Sequence, residues 1–147
     1  MSVKKRQRAT TILASTYQKF WCGFNEKTSK DDVFCKEFRP HPYGSARCYQ
    51  DYPIGKPYHI VAHVFFAKHE IHIGAYFWNL DAYHYCSEVL KNRIEHQIGK
   101  PLAWKQHKTK ASAYLFDSVD FDENHGWDEA YEVIIANMLL MKKAFEH

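Results

Sequence analysis

Residues 70–78, EIHIGAYFW, alternate apolar side chains with polar or aromatic ones, and this stretch decides the fold. In an extended chain, successive side chains point to opposite sides. One side would carry Ile71, Ile73, Ala75 and Phe77, and the other His72, Gly74, Tyr76 and Trp78. This period-two alternation predicts a β-strand with one buried face.

The preceding segment, residues 58–67 (YHIVAHVFFA), is rich in β-branched and aromatic residues. Such residues favour strands because they fit a pleated, half-buried surface. Lys68 and His69 leave room only for a tight connection between the two segments. Together the segments predict an antiparallel β-hairpin.

A helix is predicted downstream of the hairpin, over residues 80–98. Asn79 or Asp81 can cap its N-terminus, and Gly99 followed by Pro101 can end it. Its apolar side chains recur at helical spacing. They are Ala82, Cys86, Val89, Leu90, Ile94 and Ile98.

Further elements extend the pattern in both directions. Strands are predicted at residues 47–50, 102–107 and 111–116, and helices at 8–26 and 127–145. Residues 28–43, with Pro40 and Pro42, are expected to form a loop. The order α-βββ-α-ββ-α predicts an α+β fold, with a mainly antiparallel sheet of about five strands and three main helices. We expect one domain over residues 1–147, with a frayed basic N-terminus at residues 1–7.

Composition limits the possible classes of protein. Aromatic residues make up 16% of the 147 residues, which argues against disorder. The net charge of +3 permits a nucleic-acid partner without requiring one. The basic start lacks a following apolar stretch, and no apolar run reaches the length of a membrane span. We therefore expect a cytoplasmic protein whose cysteines, Cys22, Cys35, Cys48 and Cys86, are reduced.

Catalytic and metal-binding patterns are weak in this sequence. His59 and His63 are four apart in a predicted strand, which separates them by about 13 Å. Zinc requires ligands at about 2.0–2.3 Å, so we expect no metal site. The sequence has no phosphate-binding or dinucleotide fingerprint and no nucleophile motif. We therefore expect no cofactor, identify no catalytic residue and favour a protein that is not an enzyme.

Two segments interleave basic and aromatic side chains, which can contact phosphates and stack on bases. The first contains Arg39, Tyr43, Arg47 and Tyr49, and the second contains Trp104, Lys105, Lys108 and Lys110. These eight residues are the candidate nucleic-acid-binding residues. The alternative interpretation is a solvated loop and a hairpin turn with ordinary lysines.

The stretch LKNRIEHQIGKPLAWKQHKTKAS, residues 90–112, carries a recognisable pattern. Its defining residues are Ile94, Glu95, Gly99, Leu102, Trp104, Lys110 and Ser112. The pattern resembles a bacterial family of uncharacterised domains. Members often stand C-terminal to a predicted restriction-endonuclease-like nuclease domain, and others stand alone. The family usually has a basic residue shortly after the serine, where this chain has Tyr114.

The resemblance implies a cytoplasmic accessory or recognition domain in a phage-defence or mobile-element setting. It implies no catalytic residue. For Glu95 and Trp104 themselves we predict structural roles, at the connection between the helix and the following strand. A boundary carboxylate can hold a backbone or an arginine partner there, and the indole can pack over the connection.

Three functional hypotheses follow. The first is a non-catalytic binding module for nucleic acid or for a nuclease partner. The second is a homo-oligomer, such as a homodimer, in which Tyr58, Tyr76 and Trp78 line an exposed sheet face and pair across a two-fold axis. The third is an enzyme with an unrecognised site. A basic groove would favour the first, a flat apolar patch the second and a deep polar pocket the third.

Overall fold

The chain groups into two compact units, residues 1–50 and residues 51–147. The computed structural model describes the backbone of residues 3–121 and 126–146, and side chains from residue 13 onward within those ranges. The expectation of a single domain stays a prediction.

The first unit contains two helices, α1 (Val3–Ser29) and α2 (Asp32–Glu37). Helix α1 begins five residues before the predicted start, so it includes most of the segment expected to fray; residues 1 and 2 lie outside the described residues. Helix α2 lies in a stretch predicted as loop, and that prediction is wrong. The carboxylate of Asp31 caps α2 by accepting hydrogen bonds from the backbone N–H groups of Val33 and Phe34.

Aromatic rings form the core of the first unit. Buried rings pack edge-on or tilted, with centroids 5.1–6.1 Å apart: Phe20, Trp21, Phe24, Phe34 and Phe38. The indole N–H of Trp21 donates to the Arg47 carbonyl at 3.0 Å. The buried amides of Asn25 and Gln50 donate to each other at 2.9 and 2.8 Å. Paired amides satisfy polar groups that would otherwise be costly to bury.

The sheet has five strands in the order β1-β2-β3-β5-β4. Their bounds are β1 Tyr49–Pro53, β2 Tyr58–Phe65, β3 Glu70–Phe77, β4 Ala103–Gln106 and β5 Ala111–Ser118. The described pairings β2–β3, β3–β5 and β4–β5 are all antiparallel. The predicted α+β class with an antiparallel five-stranded sheet is therefore confirmed.

The predicted hairpin is confirmed as β2 and β3, which pair from Tyr58 with Phe77 to Phe65 with Glu70. A 3-10 turn over Phe66–Lys68 joins them, and His69 closes it in the left-handed conformation with φ of 53°.

One face of the sheet, the inner face, forms the core of the second unit. The predicted buried side of β3 is confirmed, because Ile71, Ile73, Ala75 and Phe77 have no exposed surface. Helix α5 (Asp128–Phe145) packs against β2 and β3, which places its Phe145 ring 5.7 Å from Tyr58 and 6.2 Å from Phe77. Tyr58 therefore lies on the inner face with 4% exposure, and the expectation that it lines an exposed face is wrong.

The helix predicted at residues 80–98 consists of three consecutive segments. They are α3 (Leu80–Tyr85), a π-helical segment (Cys86–Leu90) and α4 (Lys91–Ile98). Asn79 caps the start by accepting the Ala82 N–H at 3.1 Å, and Gly99 ends it with φ of 87°. Cys86, Leu90 and Ile94 are buried as predicted, but Val89 is 63% exposed and its predicted burial is wrong.

None of the helices in the described part of the chain is long and apolar enough to cross a membrane. The four cysteines are all free thiols; Cys22 and Cys35 are exposed, whereas Cys86 is buried.

Candidate nucleic-acid interface

The outer face is the side of the sheet opposite to the inner face. Directly paired residues of antiparallel strands share a face, so the register defines its members. His59 pairs with Tyr76, His63 with His72, Phe65 with Glu70, His72 with Phe116, and Gly74 with Tyr114. Ring-bearing residues at these positions form the aromatic row, and all but the exposed Phe116 are half-buried. Its members are His59, His63, Phe65, His72, Tyr76, Tyr114 and Phe116.

Contacts between rings run across three strands of the outer face. His63 stacks on Phe65 at 5.9 Å and meets Tyr114 edge-on at 5.4 Å. His72 lies 4.7 Å from Phe65 and 4.2 Å from Phe116. The side chain of Phe116 remains 51% exposed at the end of this chain of rings. Mutual packing thus holds the rings in place while leaving one ring available.

Gly74 lies under the ring of Tyr114. A Cβ atom at this position would come within 2.4 Å of the ring carbons. The absence of a side chain therefore lets the phenol ring lie flat on the backbone of β3, and its hydroxyl reaches Nε2 of His63 at 3.1 Å. Glycine within a strand often marks such a close approach.

The three histidines of the outer face each have a polar partner. Nδ1 of His59 lies 2.7 Å from the Asp51 carboxylate, and Nε2 of His72 lies 2.9 Å from that of Glu70. The His59 ring also contacts Trp78 at 4.7 Å, and the Trp78 side chain is 48% exposed. Both of these carboxylates are therefore engaged by imidazoles.

His63 is the most perturbed of these histidines. Burial, together with the nearby His72 ring, lowers the pKa of His63 from 6.5 to about 4. The folded protein therefore keeps this imidazole neutral at a pH where the unfolded chain would protonate it.

We expect His63 to make the protein less stable in mild acid. Its pKa is lower in the folded state, so its contribution to stability is complete above pH 6.5 and is lost as pH falls towards 4. Because the ring is only partly buried, we expect a loss of about 1–2 kcal/mol. Urea unfolding of the wild type and of His63→Gln between pH 4 and 7 measures it. The variant should lose less stability over this range; equal losses in both proteins would contradict the prediction.

Lysines of the β4–β5 hairpin border the outer face. Lys105 pairs with Ser112, which in turn pairs with Tyr76, so Lys105 belongs to that face. The Lys110 ammonium lies 5.8 Å from the centroid of the Tyr76 ring. The turn is closed by a hydrogen bond of 2.7 Å from the His107 N–H to the Lys110 carbonyl. Lys105, Lys108 and Lys110 are all exposed, and the hairpin brings these three sequence-predicted residues together.

Trp104 differs from the lysines with which it was grouped. It pairs with Ala113 on the inner face, and its ring lies 5.9 Å from Phe145 and 6.1 Å from Tyr83. The ring therefore packs beneath the helices and does not join the lysines on the outer face.

The remaining candidates, Arg39, Tyr43, Arg47 and Tyr49, belong to the first unit. Tyr43 is 85% exposed, and its carbonyl accepts a hydrogen bond from Asn25 at 3.1 Å. The Arg47 guanidinium donates to the Tyr49 hydroxyl at 3.0 Å. Arg47 and Tyr49 are thus brought together within this unit.

The motif around Glu95 connects α4 to β4. Oε2 of Glu95 accepts hydrogen bonds from the Leu102 N–H at 2.6 Å and from the Trp104 indole N–H at 3.2 Å. Gly99 donates its N–H to the Glu95 carbonyl at 2.8 Å and turns the chain. Ile94 and Leu102 are buried at this connection, and Ser112 is buried on β5, where it pairs with Lys105. These contacts support structural roles for the motif residues.

Sequence reasoning did not select His63, His72, Tyr114 and Phe116 as site residues. The sequence did contain a signal. His59 and His63 are separated by an even number of positions along one strand, and so are His72 and Tyr76 along the next. Residues of the same parity share a face once the register is known. Among the described residues, no group of three or more His, Cys, Asp or Glu side chains could hold a metal ion.

A family model described as a domain of unknown function, DUF4268, matches residues 16–147. No curated protein and no solved structure matched significantly.

Proposed function

This chain belongs to the DUF4268 family, and from its outer face we propose that it is a non-catalytic module that binds single-stranded nucleic acid. The observation that carries the proposal is the aromatic row beside the lysines of the β4–β5 hairpin. The resemblance described above supports a setting: an accessory domain that acts beside a nuclease in the bacterial cytoplasm.

The exposed rings supply the stacking surface. Phe116 and Trp78 are each about half exposed, at 51% and 48%, and neighbouring rings hold both in place. Stacking of a base on an aromatic side chain contributes about 1–3 kcal/mol and tolerates any base, because every base has a π face. Rings already fixed by packing lose little further freedom on binding.

The hairpin lysines supply the contacts to phosphate. Lys110 lies beside Tyr76, and Lys105 lies two strands from Tyr76 on the same face, so a strand whose bases stack on the outer face would have its backbone near these ammonium groups. Each neutralised phosphate releases counterions, which makes binding stronger at low salt.

Single strands fit this face better than duplexes. Bases within a duplex are stacked on one another and cannot lie against a protein ring, whereas those of a single strand can be splayed out. The half-exposed rings of a sheet therefore favour single-stranded RNA or DNA.

We expect Lys105→Ala combined with Lys108→Ala to flatten the salt dependence of binding. For single strands the log–log slope of affinity against salt is about −0.7 per phosphate contact, so losing two contacts should reduce it by about 1–1.4 units. Fluorescence anisotropy of a labelled 12-nucleotide single strand, titrated at several salt concentrations, measures this slope.

The matched control is Lys91→Ala combined with Lys143→Ala. Both lysines are exposed, and they lie on helices α4 and α5 rather than on the outer face. This variant carries the same loss of charge and should keep the wild-type slope. The proposal fails if the wild type binds no single strand at tens of micromolar protein, or if both double variants change the slope equally.

Self-association through the same face is the second candidate function. The exposure of Trp78 and Phe116 favours it, because exposed aromatic side chains are enriched at protein interfaces. Sedimentation equilibrium at high micromolar concentration separates the two functions. A dimer that Phe116→Ser converts to monomer, together with no oligonucleotide binding, would favour the homo-oligomer.

A further inference from the structure

A cavity of about 240 Å³ lies in the second unit, between the start of β2, the helix containing the π segment and the end of α5. Its walls are mostly rings and small apolar groups: Pro57, Tyr58, Ala82, Tyr85, Cys86 and Phe145. Lys56 and Glu146, both exposed, complete the lining. The cavity is separate from the outer face, because Tyr58 and Phe145 belong to the inner core.

Two polar side chains line this cavity, on residues that are otherwise buried. Tyr58 is 4% exposed and Cys86 is 2% exposed. Among the described residues, the Tyr58 hydroxyl is not one of the fully buried atoms left without a hydrogen-bond partner, so it is reached through the cavity. A donor in the wall of a cavity can bond to water until a ligand replaces that water. The cavity therefore presents a donor that a bound molecule can satisfy.

Both groups are neutral at physiological pH. Burial raises the pKa of Tyr58 to about 12, with smaller contributions from Cys86 and Glu146. Burial also raises the pKa of Cys86 to about 11, against the opposing effect of Arg93. The phenol thus keeps its proton and can donate it in a hydrogen bond, and the thiol is a poor nucleophile.

We propose that this cavity binds a small, uncharged aromatic molecule whose carbonyl or similar acceptor receives a hydrogen bond from Tyr58. An apolar cavity of about 150 Å³ is sufficient for benzene, so this larger one has room for a substituted single ring. The rings of Tyr58 and Phe145 form the walls for stacking, and an uncharged molecule avoids the penalty of burying a charge.

Benzamide is the probe that tests this site, and toluene is its counterpart without an acceptor. Binding is followed by chemical-shift changes in ¹H–¹⁵N spectra of the full chain. Benzamide should bind saturably, more tightly than toluene, and shift the amide signals of residues that line the cavity. Tyr58→Phe removes only the hydroxyl and should weaken benzamide binding about 2- to 12-fold, the effect of one hydrogen bond, while leaving toluene binding unchanged.

Two further variants control the test. Ala82→Phe fills the cavity and should abolish binding of both probes; Ala82→Leu serves the same purpose if the larger ring prevents folding. Tyr76→Phe also removes only a phenol hydroxyl, but on the outer face, and it should leave benzamide affinity at the wild-type value. The proposal would be overturned if neither probe bound saturably. It would also be overturned if benzamide bound the wild type and Tyr58→Phe with equal affinity. Because the readout involves no oligonucleotide, it can fail or succeed independently of nucleic-acid binding.

Discussion

Replacing Phe77 with alanine is expected to lower the free energy of unfolding by about 3–5 kcal/mol. The Phe77 ring has no exposed surface and lies 5.0 Å from Tyr58, 5.6 Å from Tyr83 and 6.2 Å from Phe145. Removing the ring both loses its burial and leaves a cavity among side chains from three elements, which cannot all collapse inward. Urea unfolding followed by circular dichroism measures the change.

Phe116→Ala is the matched control for Phe77→Ala. Phe116 lies on β5 at the outer face and is 51% exposed, so the same truncation should change stability by no more than about 1 kcal/mol. The same variant should weaken binding of single-stranded nucleic acid if the proposed function is correct. Equal destabilisation by the two alanine variants would contradict the assignment of inner and outer faces.

Glu95→Ala is expected to lower the free energy of unfolding by about 2–4 kcal/mol, a large effect for a partly exposed carboxylate. One carboxylate oxygen accepts both the Leu102 N–H and the Trp104 indole N–H. Its removal leaves two donors without their acceptor at the connection between α4 and β4, and each such loss amounts to about 1–3 kcal/mol. Thermal and urea unfolding should both show the effect.

Glu95→Gln separates the hydrogen bonds from other effects of the substitution. Glutamine retains a carbonyl oxygen at the same position, so the loss should fall to about 1 kcal/mol, because only the strengthening by charge is removed. Glu88→Ala, an exposed substitution in the same helical region, should have almost no effect. If alanine and glutamine at position 95 were equally destabilising, the accepted hydrogen bonds would not be the cause.

The β2–β3 hairpin could be predicted from sequence because one strand carries a strict alternation. Only a pleated strand with one buried face explains buried residues at Ile71, Ile73 and Phe77. The position of Tyr58 could not be predicted in the same way. Strand β2 buries Tyr58, Ile60, Ala62 and Val64 but also Val61, so its apolar run does not identify the inner side. The register with β3 was needed to identify it.

Helix α2 escaped prediction because it is short. It has six residues, and nearby prolines favoured a loop interpretation. Its formation depends on the Asp31 cap and on burial of Phe34 against Phe38 and against Phe24 of helix α1. Tertiary packing of this kind stabilises helices that local propensity alone would not.

The candidate site could be predicted only in part. Clustered charge identified Lys105, Lys108 and Lys110 directly, because neighbours in one hairpin remain neighbours in space. The aromatic row could not be identified, since His63, His72 and Tyr114 meet only after three strands have paired. Trp104 was grouped with the lysines by proximity in sequence, although alternation along β4 places it on the opposite face from Lys105.

The π segment at Cys86–Leu90 determines in which direction the side chains of α4 point around the helix axis. A π turn contains about one residue more than an α turn, and one residue of α-helix corresponds to a rotation of about 100°. Ala82, Cys86, Leu90, Ile94 and Ile98 recur every four residues, a spacing that a regular α-helix would let drift round its axis. The wider turn cancels that gradual rotation of the apolar side chains, so the Glu95 carboxylate faces Leu102. Because the wider turn accommodates one extra residue, deleting an exposed residue of it such as Val89 should restore a regular α turn and keep the carboxylate directed at its partners.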